Sequence, residues 1–321
     1  MRTPRTLLRR AGSVLALAVM CAACGGMAGR GPPSDEGGTG KSGALITVGS
    51  FNFPESVLLA DIYGGALAAR GFPVRIQPDL GNREIVDPAL MGGLLQVVPE
   101  YAGSAVDFLS LGRMPATSDV AATHRALAGL VARQQLVVGR PAAAQDANVI
   151  VVTAATAARY HLRSVADLAG VAPRLVFGGP PECPGRAYCL PGLKRVYGLR
   201  FRKFIPLDAG GPLTLQAVEG RNVDVALMFS TDPRIVARHL VVLADDRGLQ
   251  PAENVTPLLR GDVVARFGGR LVDVLNAVSS RLDTGSLRAL VAQVELAGRD
   301  PRRVAGDWLQ VQGLAERDSV R

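Results

Sequence analysis

The sequence predicts an α/β protein folded as two lobes. From Leu45 onward, short β-branched runs alternate with amphipathic stretches, the pattern of strands and helices sharing one core. The 321 residues exceed what a single domain of roughly 100–200 residues holds. Hydrophobic residues make up 48% of the chain, enough to fill two cores, so disorder and small disulfide scaffolds are excluded. Residues 45–49 read as the first strand. Pro54 and Glu55 then suit a helix start, Val57, Leu58, Ile62 and Leu67 give that helix an apolar face, and Gly71 ends it. A strand at 74–77, a helix at 85–91, an extended stretch at 95–98, a helix at 119–134 and a strand at 136–138 follow.

The uninterrupted apolar run 149–153 suits a strand buried on both faces and marks the crossing into a second lobe. That lobe is predicted to hold a capped helix after Ser164, strands at 175–177, 204–207, 223–228 and 240–243, and helices at 193–197 and 213–219. The chain returns near 245–257, and 263–309 reads as three helices packed on the first lobe. The expected organisation is therefore 45–146 plus 248–321 as lobe 1 and 147–247 as lobe 2, joined by two crossings that form a hinge. Ligand sites in such sheets lie beyond the carboxyl ends of the strands, here across a cleft.

The first 23 residues carry Arg2, Arg5, Arg9 and Arg10 ahead of a short apolar run. A run of about 13 residues is too short to span a bilayer and has the charge flank of a secretion signal. Removing it strips half of the formal net charge of +8 and leaves 32 bases against 28 acids. With no basic tract and a single Trp, no nucleic-acid partner is indicated. Cleavage before Cys24, behind Ala22 and Ala23, would leave a cysteine at the N-terminus, as in the lipobox of bacterial lipoproteins; Cys21 is the second candidate for lipidation, and an ordinary secreted protein is the alternative. Residues 24–44, rich in Gly, Pro and Ser, read as a tether. In an oxidising compartment Cys183 and Cys189, with Pro184 and Gly185 turning the chain between them, are expected to close a disulfide loop. A metal site is the alternative reading of this pair, but His124, His161 and His239 are scattered, and none is expected.

Enzyme signatures are missing from the sequence. There is no G-x-S-x-G elbow, no H-E-x-x-H, no Walker loop and no G-x-G-x-x-G after a strand. Neither catalysis nor a cofactor is expected.

The strand ends carry 50-SFNFPE-55, 99-PEYAGS-104, 146-DAN-148 and 229-FSTD-232, joined by 81-GNREIV-86 and 189-CLPGLKRVYGL-199. Together, over 46–309, these stretches resemble the glycine betaine/choline/carnitine substrate-binding proteins of ABC transporters. The resemblance implies the two-lobed type II periplasmic-binding-protein fold, capture of a small solute, delivery to a membrane permease and its ATPase, an extracytoplasmic location on a lipid anchor, and a single copy as the working unit. It also implies a site in which a quaternary ammonium group, which donates no N–H bond, is held by aromatic faces. Tyr101 matches a cage tyrosine, Ser104 the hydroxyl one turn on, Asp146 the acid near the cation and Arg186 the carboxylate-binding arginine. Phe229 stands where another cage tyrosine is expected. Asn148 and Glu253 occupy two further positions where many relatives have tyrosine, and Phe51 one where many have lysine, so the cage is incomplete.

Read from the residues alone, Asn52 either caps the helix that begins near Pro54 or touches ligand, and Thr231 joins the candidate set as a polar group beyond a strand end. Glu55 is expected to be a first-turn charge complementing the helix dipole, and Glu253 a carboxylate in a polar, solvated loop. Two other functions stay open: a binder of a polyphenol, polyol or sugar-like ligand on the same fold, and a solute sensor without a permease.

Overall fold

The structure, a computed structural model, describes residues 45–315. The expected secretion signal, the tether and the candidate lipidation site Cys24 lie outside the described residues. The first sheet is built from β1 (Ile46–Gly49), β2 (Val74–Gln77), β3 (Val97–Tyr101) and β4 (Leu136–Val138), with helices α1 (Pro54–Ala69), α2 (Arg83–Met91), α3 (Ala102–Leu109) and α4 (Val120–Ala132) between them. The second is built from β5 (Asn148–Thr153), β6 (Val176–Gly179), β7 (Lys203–Pro206), β8 (Val225–Phe229) and β9 (Leu240–Leu243), with α5 (Ala154–Tyr160), α6 (Leu190–Tyr197), α7 (Pro212–Glu219) and α8 (Arg234–Ala237). The chain then returns to the first sheet as β10 (Val255–Arg260) and ends in α9 (Gly261–Phe267), α10 (Gly269–Ser279), α11 (Thr284–Glu295) and α12 (Pro301–Val311).

The strand orders are β2-β1-β3-β10-β4 and β7-β6-β8-β5-β9. In each sheet three parallel strands are followed by one antiparallel strand, and that strand is the one arriving from the other lobe. The two sheets thus share one layout although the sequence carries no internal repeat. Each lobe has its own core: one apolar cluster surrounds the first sheet and includes Tyr63, Leu127, Leu275 and Trp308, while two clusters cover the faces of the second around Phe177 and Met228. The two crossings run side by side. Gln145 pairs antiparallel with Asn254, the Asp146 amide donates to the Glu253 carbonyl, and the Val255 amide donates to the Ala144 carbonyl.

Several elements differ from the sequence reading, which also left helices α3 and α8 unread. The segment after Ser164 forms two short 3-10 turns, Ala166–Gly170 and Ala172–Arg174, instead of a helix, because Gly170 and Pro173 interrupt it. Helix α5, unread in the sequence, has no buried residue and hence no apolar periodicity; Thr153 caps it by accepting from the Thr156 amide. The tail holds four helices where three were expected, split at Gly268 by a left-handed glycine of φ 74°. Finally, β10 is a central strand despite Pro257, a residue that argues against one. Pro257 faces Pro99 at a pair that exchanges no hydrogen bonds, since the ladder bonds fall at Asn254–Ala102 and Arg260–Gln96. Its carbonyl accepts from Gly139 just past the end of β4, so its missing N–H leaves the β3 ladder intact.

Candidate functional site

Each wall of the cleft begins where a strand stops. Beyond β1 the chain turns through Ser50 and Phe51, and the Ser56 hydroxyl accepts the Phe51 amide at 2.9 Å, fixing this turn on the first turn of α1. Beyond β3, Tyr101 passes directly into α3, whose N-terminus lies against the returning crossing. A Cβ on Gly103 would sit 2.4 Å from Pro251 Cγ and 3.0 Å from the Ala252 carbonyl, so glycine is required there for the close approach. Opposite, Phe229 ends β8, and the loop 183–189 closes over the cleft, stapled by the Cys183–Cys189 disulfide with a Cα–Cα separation of 5.3 Å. This loop packs so tightly on α6 that a Cβ on Gly192 would meet the Ala187 carbonyl. Replacing both cysteines with serine is expected to cost about 2 kcal/mol, the loop-closure entropy of so short a ring. Thermal unfolding of the double variant against wild type measures it.

The space enclosed is about 840 Å³, counting the part open to solvent. Phe51, Asn52, Tyr101, Ser104, Asp146, Asn148, Arg186, Phe229 and Glu253 all line it, whereas Thr231 does not. Thr231 is buried behind the wall, where its hydroxyl donates to Glu55 and its amide to Asp146. Asn52 is exposed, and Phe53 occupies the N-cap position of α1 without a side-chain cap, so Asn52 caps nothing. The sequence reading missed Phe53, Arg83, Asp107 and Tyr188, which also line it. Phe53 is the ring at the centre: its centroid lies 6.0 Å from Phe51, 5.9 Å from Tyr101 and 5.1 Å from Phe229 across the cleft. Its place in the aromatic pair of 51-FNF-53 was the available signal, and the helical spacing 104–107 was the one for Asp107.

The polar groups fall into two sets. Glu253 is buried, not solvated: Ser104 donates to it from its hydroxyl at 2.6 Å and its amide at 3.0 Å, and burial pushes its carboxyl up to about 7. Asp146 accepts from the Ser230 hydroxyl at 3.1 Å and the Thr231 amide at 3.0 Å, yet burial raises it to about 6. Glu55 is likewise buried and not a surface charge; the Tyr101 hydroxyl donates to it at 2.7 Å. Burial first, and then the nearby Asp146, lift its carboxyl well above the usual range. The cations are spoken for in part. Arg83 forks onto Glu100 at 2.6 and 2.9 Å, with its guanidinium 5.0 Å above the Phe51 ring. Arg186 donates from Nη2 to Glu84 on the opposite lobe at 2.7 Å. Its Nε is buried and meets no acceptor among the described residues.

The cleft is closed by contacts between the lobes. Besides Arg186 with Glu84 and Phe53 with Phe229, the Ala116 amide donates to the Tyr188 hydroxyl at 3.3 Å, and buried Arg234 bonds both Asp232 and Glu295. Two α/β sheets with this layout, hinged at paired crossings and meeting over an aromatic, carboxyl-rich cleft, are the arrangement of a solute-capturing protein. The sequence profile of the family described as the substrate binding domain of ABC-type glycine betaine transport system matches residues 44–311.

The chain belongs to that family.

Among relatives of this glycine betaine family, the glycine-betaine-binding protein of Pseudomonas aeruginosa is 28% identical over 308 residues, covering 92% of this chain and 94% of its own. The glycine betaine-binding protein YehZ of Escherichia coli is 28% identical over 280 residues, 84% of this chain and 90% of its own. Its apo structure superposes with a TM-score of 0.60, covering 85% of this chain and all of that one. An ergothioneine transport permease/ergothioneine binding protein of Helicobacter pylori is 27% identical over 158 residues, 49% of this chain and 28% of its own. The fold is therefore the two-lobed type II arrangement of periplasmic substrate-binding proteins, and the chain is a binding protein and not an enzyme. Its partners as part of an ABC-type system are a small solute and the permease with its ATPase. No helix of the described residues is long and apolar enough to cross a membrane, and they contain no cluster of metal-ligating side chains.

Proposed function

We propose that this protein captures glycine betaine or a related quaternary-ammonium osmoprotectant between its lobes and presents it to its permease, as a single copy held outside the membrane by a lipid on Cys24. One observation carries the reading: the cleft sets aromatic rings and buried carboxyls opposite an arginine whose Nε has no partner. A methylated cation is attracted to the faces of Phe51, Phe53, Tyr101 and Phe229, each worth roughly 0.5–2 kcal/mol, and to the charge of Asp146 and Glu253. The ligand's carboxylate supplies the acceptor that Arg186 Nε lacks, a charge-assisted bond in a site closed to water. Asp146 and Asn148 on a crossing, Arg186 and Phe229 on the second lobe and Tyr101 on the first would then touch one molecule, so closure and capture are one event.

Calorimetric titration of residues 44–321 with glycine betaine, carnitine and choline tests this. Micromolar binding of a quaternary amine supports the reading. Arg186→Ala should weaken glycine betaine and carnitine about tenfold or more, the value of a charged hydrogen bond of roughly 1.5–3 kcal/mol, and leave choline, which has no carboxylate, nearly unchanged. Silence toward all three sinks it.

The amides of Asn52, Asn82 and Asn148 on the same cleft favour a second reading, a ligand with ring heteroatoms or hydroxyls. A phenolic glycoside and a polyol belong in the same titration. Heat from one of these alone would mean that the ligand class differs.

A further inference from the structure

The carboxyls behind the aromatic rings outnumber what the cleft's cations satisfy, and two of them meet at one residue. Thr231 of the second lobe donates its hydroxyl to Glu55 and its amide to Asp146 at 3.0 Å. Glu55, from the first turn of α1, also receives the Tyr101 hydroxyl from β3 at 2.7 Å, and Asp146, from the crossing, receives the Ser230 hydroxyl at 3.1 Å. Glu55 is 4% exposed and Asp146 5%.

Among the described residues every group that hydrogen-bonds these carboxyls is a hydroxyl or an amide, and no cation does. Arg288 of α11 gives its Nη2 to the Ser230 carbonyl, Arg234 is held by Asp232 and Glu295, and Arg83 by Glu100. Glu253, the acid on the returning crossing, accepts the Asp146 amide on its carbonyl, while its carboxyl is bonded by Ser104. Two buried carboxyls beside one another without a counter-ion cannot both ionise.

We propose that Glu55 is a positioning residue for capture: in the ligand-free cleft it shares one proton with Asp146, and a permanent cation entering the cleft displaces that proton to solvent. The inference rests on the quaternary-ammonium reading above. In the step an O–H bond of the acid pair breaks, its electrons stay on the carboxylate, the proton passes to buffer, and the cation takes over the charge balance. Asp146 lines the cleft and Glu55 does not, so the cation meets Asp146 while Glu55 sets whether that acid is charged. Selectivity follows, because an uncharged ligand of the same shape gains nothing from the exchange. Burial raises both carboxyls, Asp146 to about 6, so the ligand-free pair holds a proton at a pH where an ordinary carboxyl has lost it.

The test is calorimetry of the body with glycine betaine and with choline from pH 5.5 to 8, in two buffers of different ionisation enthalpy. Wild type should release up to about one proton from the pair per ligand, and affinity should fall by as much as about tenfold per pH unit on acidification. In Glu55→Gln the amide keeps an acceptor in place and leaves Asp146 only the proton that its own burial holds, so the release and the pH slope should fall clearly below wild type. Glu253, which also titrates near neutrality, is separated by Glu253→Gln, which should lower the total count without touching the share lost in Glu55→Gln. Binding with equal heats in both buffers overturns the inference alone, as does a Glu55→Gln variant with the wild-type proton count. No binding of either cation overturns the ligand reading and the release step with it. Carboxyl carbon-13 titration of the ligand-free protein then decides the shared proton: a carboxyl protonated above pH 6 and missing in Glu55→Gln supports it, and its absence overturns it.

Discussion

Glycine betaine should bind roughly 10- to 1,000-fold more weakly when Tyr101→Ala and Phe229→Ala are combined, since two rings at about 0.5–2 kcal/mol each leave the cation's contact surface. The rings come from opposite lobes and converge on Phe53, so each single change should cost part of this, and the shared neighbour should make the pair depart from additivity. Tyr101→Phe separates two roles. It keeps the ring for the cation but removes the hydroxyl that Glu55 accepts, and it should cost less than Tyr101→Ala. Titration calorimetry on variants whose unfolding midpoints remain near wild type gives the comparison. An unchanged affinity in the double variant would mean that the ligand does not sit against these faces.

Arg83→Ala should be the most damaging single change to stability, about 3–5 kcal/mol, the usual result of stripping one partner from a buried ion pair. Glu100 has no solvent exposure, takes both bonds of the Arg83 fork and accepts its neighbour Tyr101's amide at 2.6 Å. Beside it Asp87 is buried with neither carboxyl oxygen receiving a hydrogen bond, and its carboxyl is pushed up by burial and by Glu100. Without the guanidinium two acids face each other in the core. The pH sign follows. The guanidinium holds down the Asp87 carboxyl that burial and Glu100 have raised, so losing it raises that group further, the variant binds protons more tightly folded than unfolded, and its deficit should shrink as pH falls toward 4. Urea unfolding at pH 7 and pH 4.5 measures both. A deficit under about 1 kcal/mol at pH 7 would mean that the fork contributes little, and one that grows on acidification would mean that Asp87 does not bear the loss.

The parts of the molecule legible in the sequence are those whose side chains repeat at the period of their backbone. The strands 74–77, 136–138 and 240–243 coincide with β2, β4 and β9, and the cysteine loop closes as its spacing suggested. Helix α5 escaped because nothing in it is buried, and β10 because Pro257 hides which of its edges needs an N–H. In the site, residues at strand ends were readable because that is where a chain leaves its sheet. Burial of Glu55 and Glu253 was not, because it is imposed on Glu55 by Tyr101 and Thr231 and on Glu253 by Ser104, none of which is near its partner in sequence. A first-turn glutamate reads as a dipole partner until Thr231 and Tyr101 are seen to close over it.

The paired crossings reduce the motion of capture to a single angle. Two strands of connection lying side by side and bonded through Asp146 to Glu253 and Val255 to Ala144 resist sliding and splaying, but they allow rotation about the line they share. The population of every intermediate between open and shut can then be read from one ruler. A pair of spectroscopic labels near Glu84 and Arg186, which meet across the cleft, would report the whole trajectory, and a free-energy profile along their separation would describe the working cycle of the molecule.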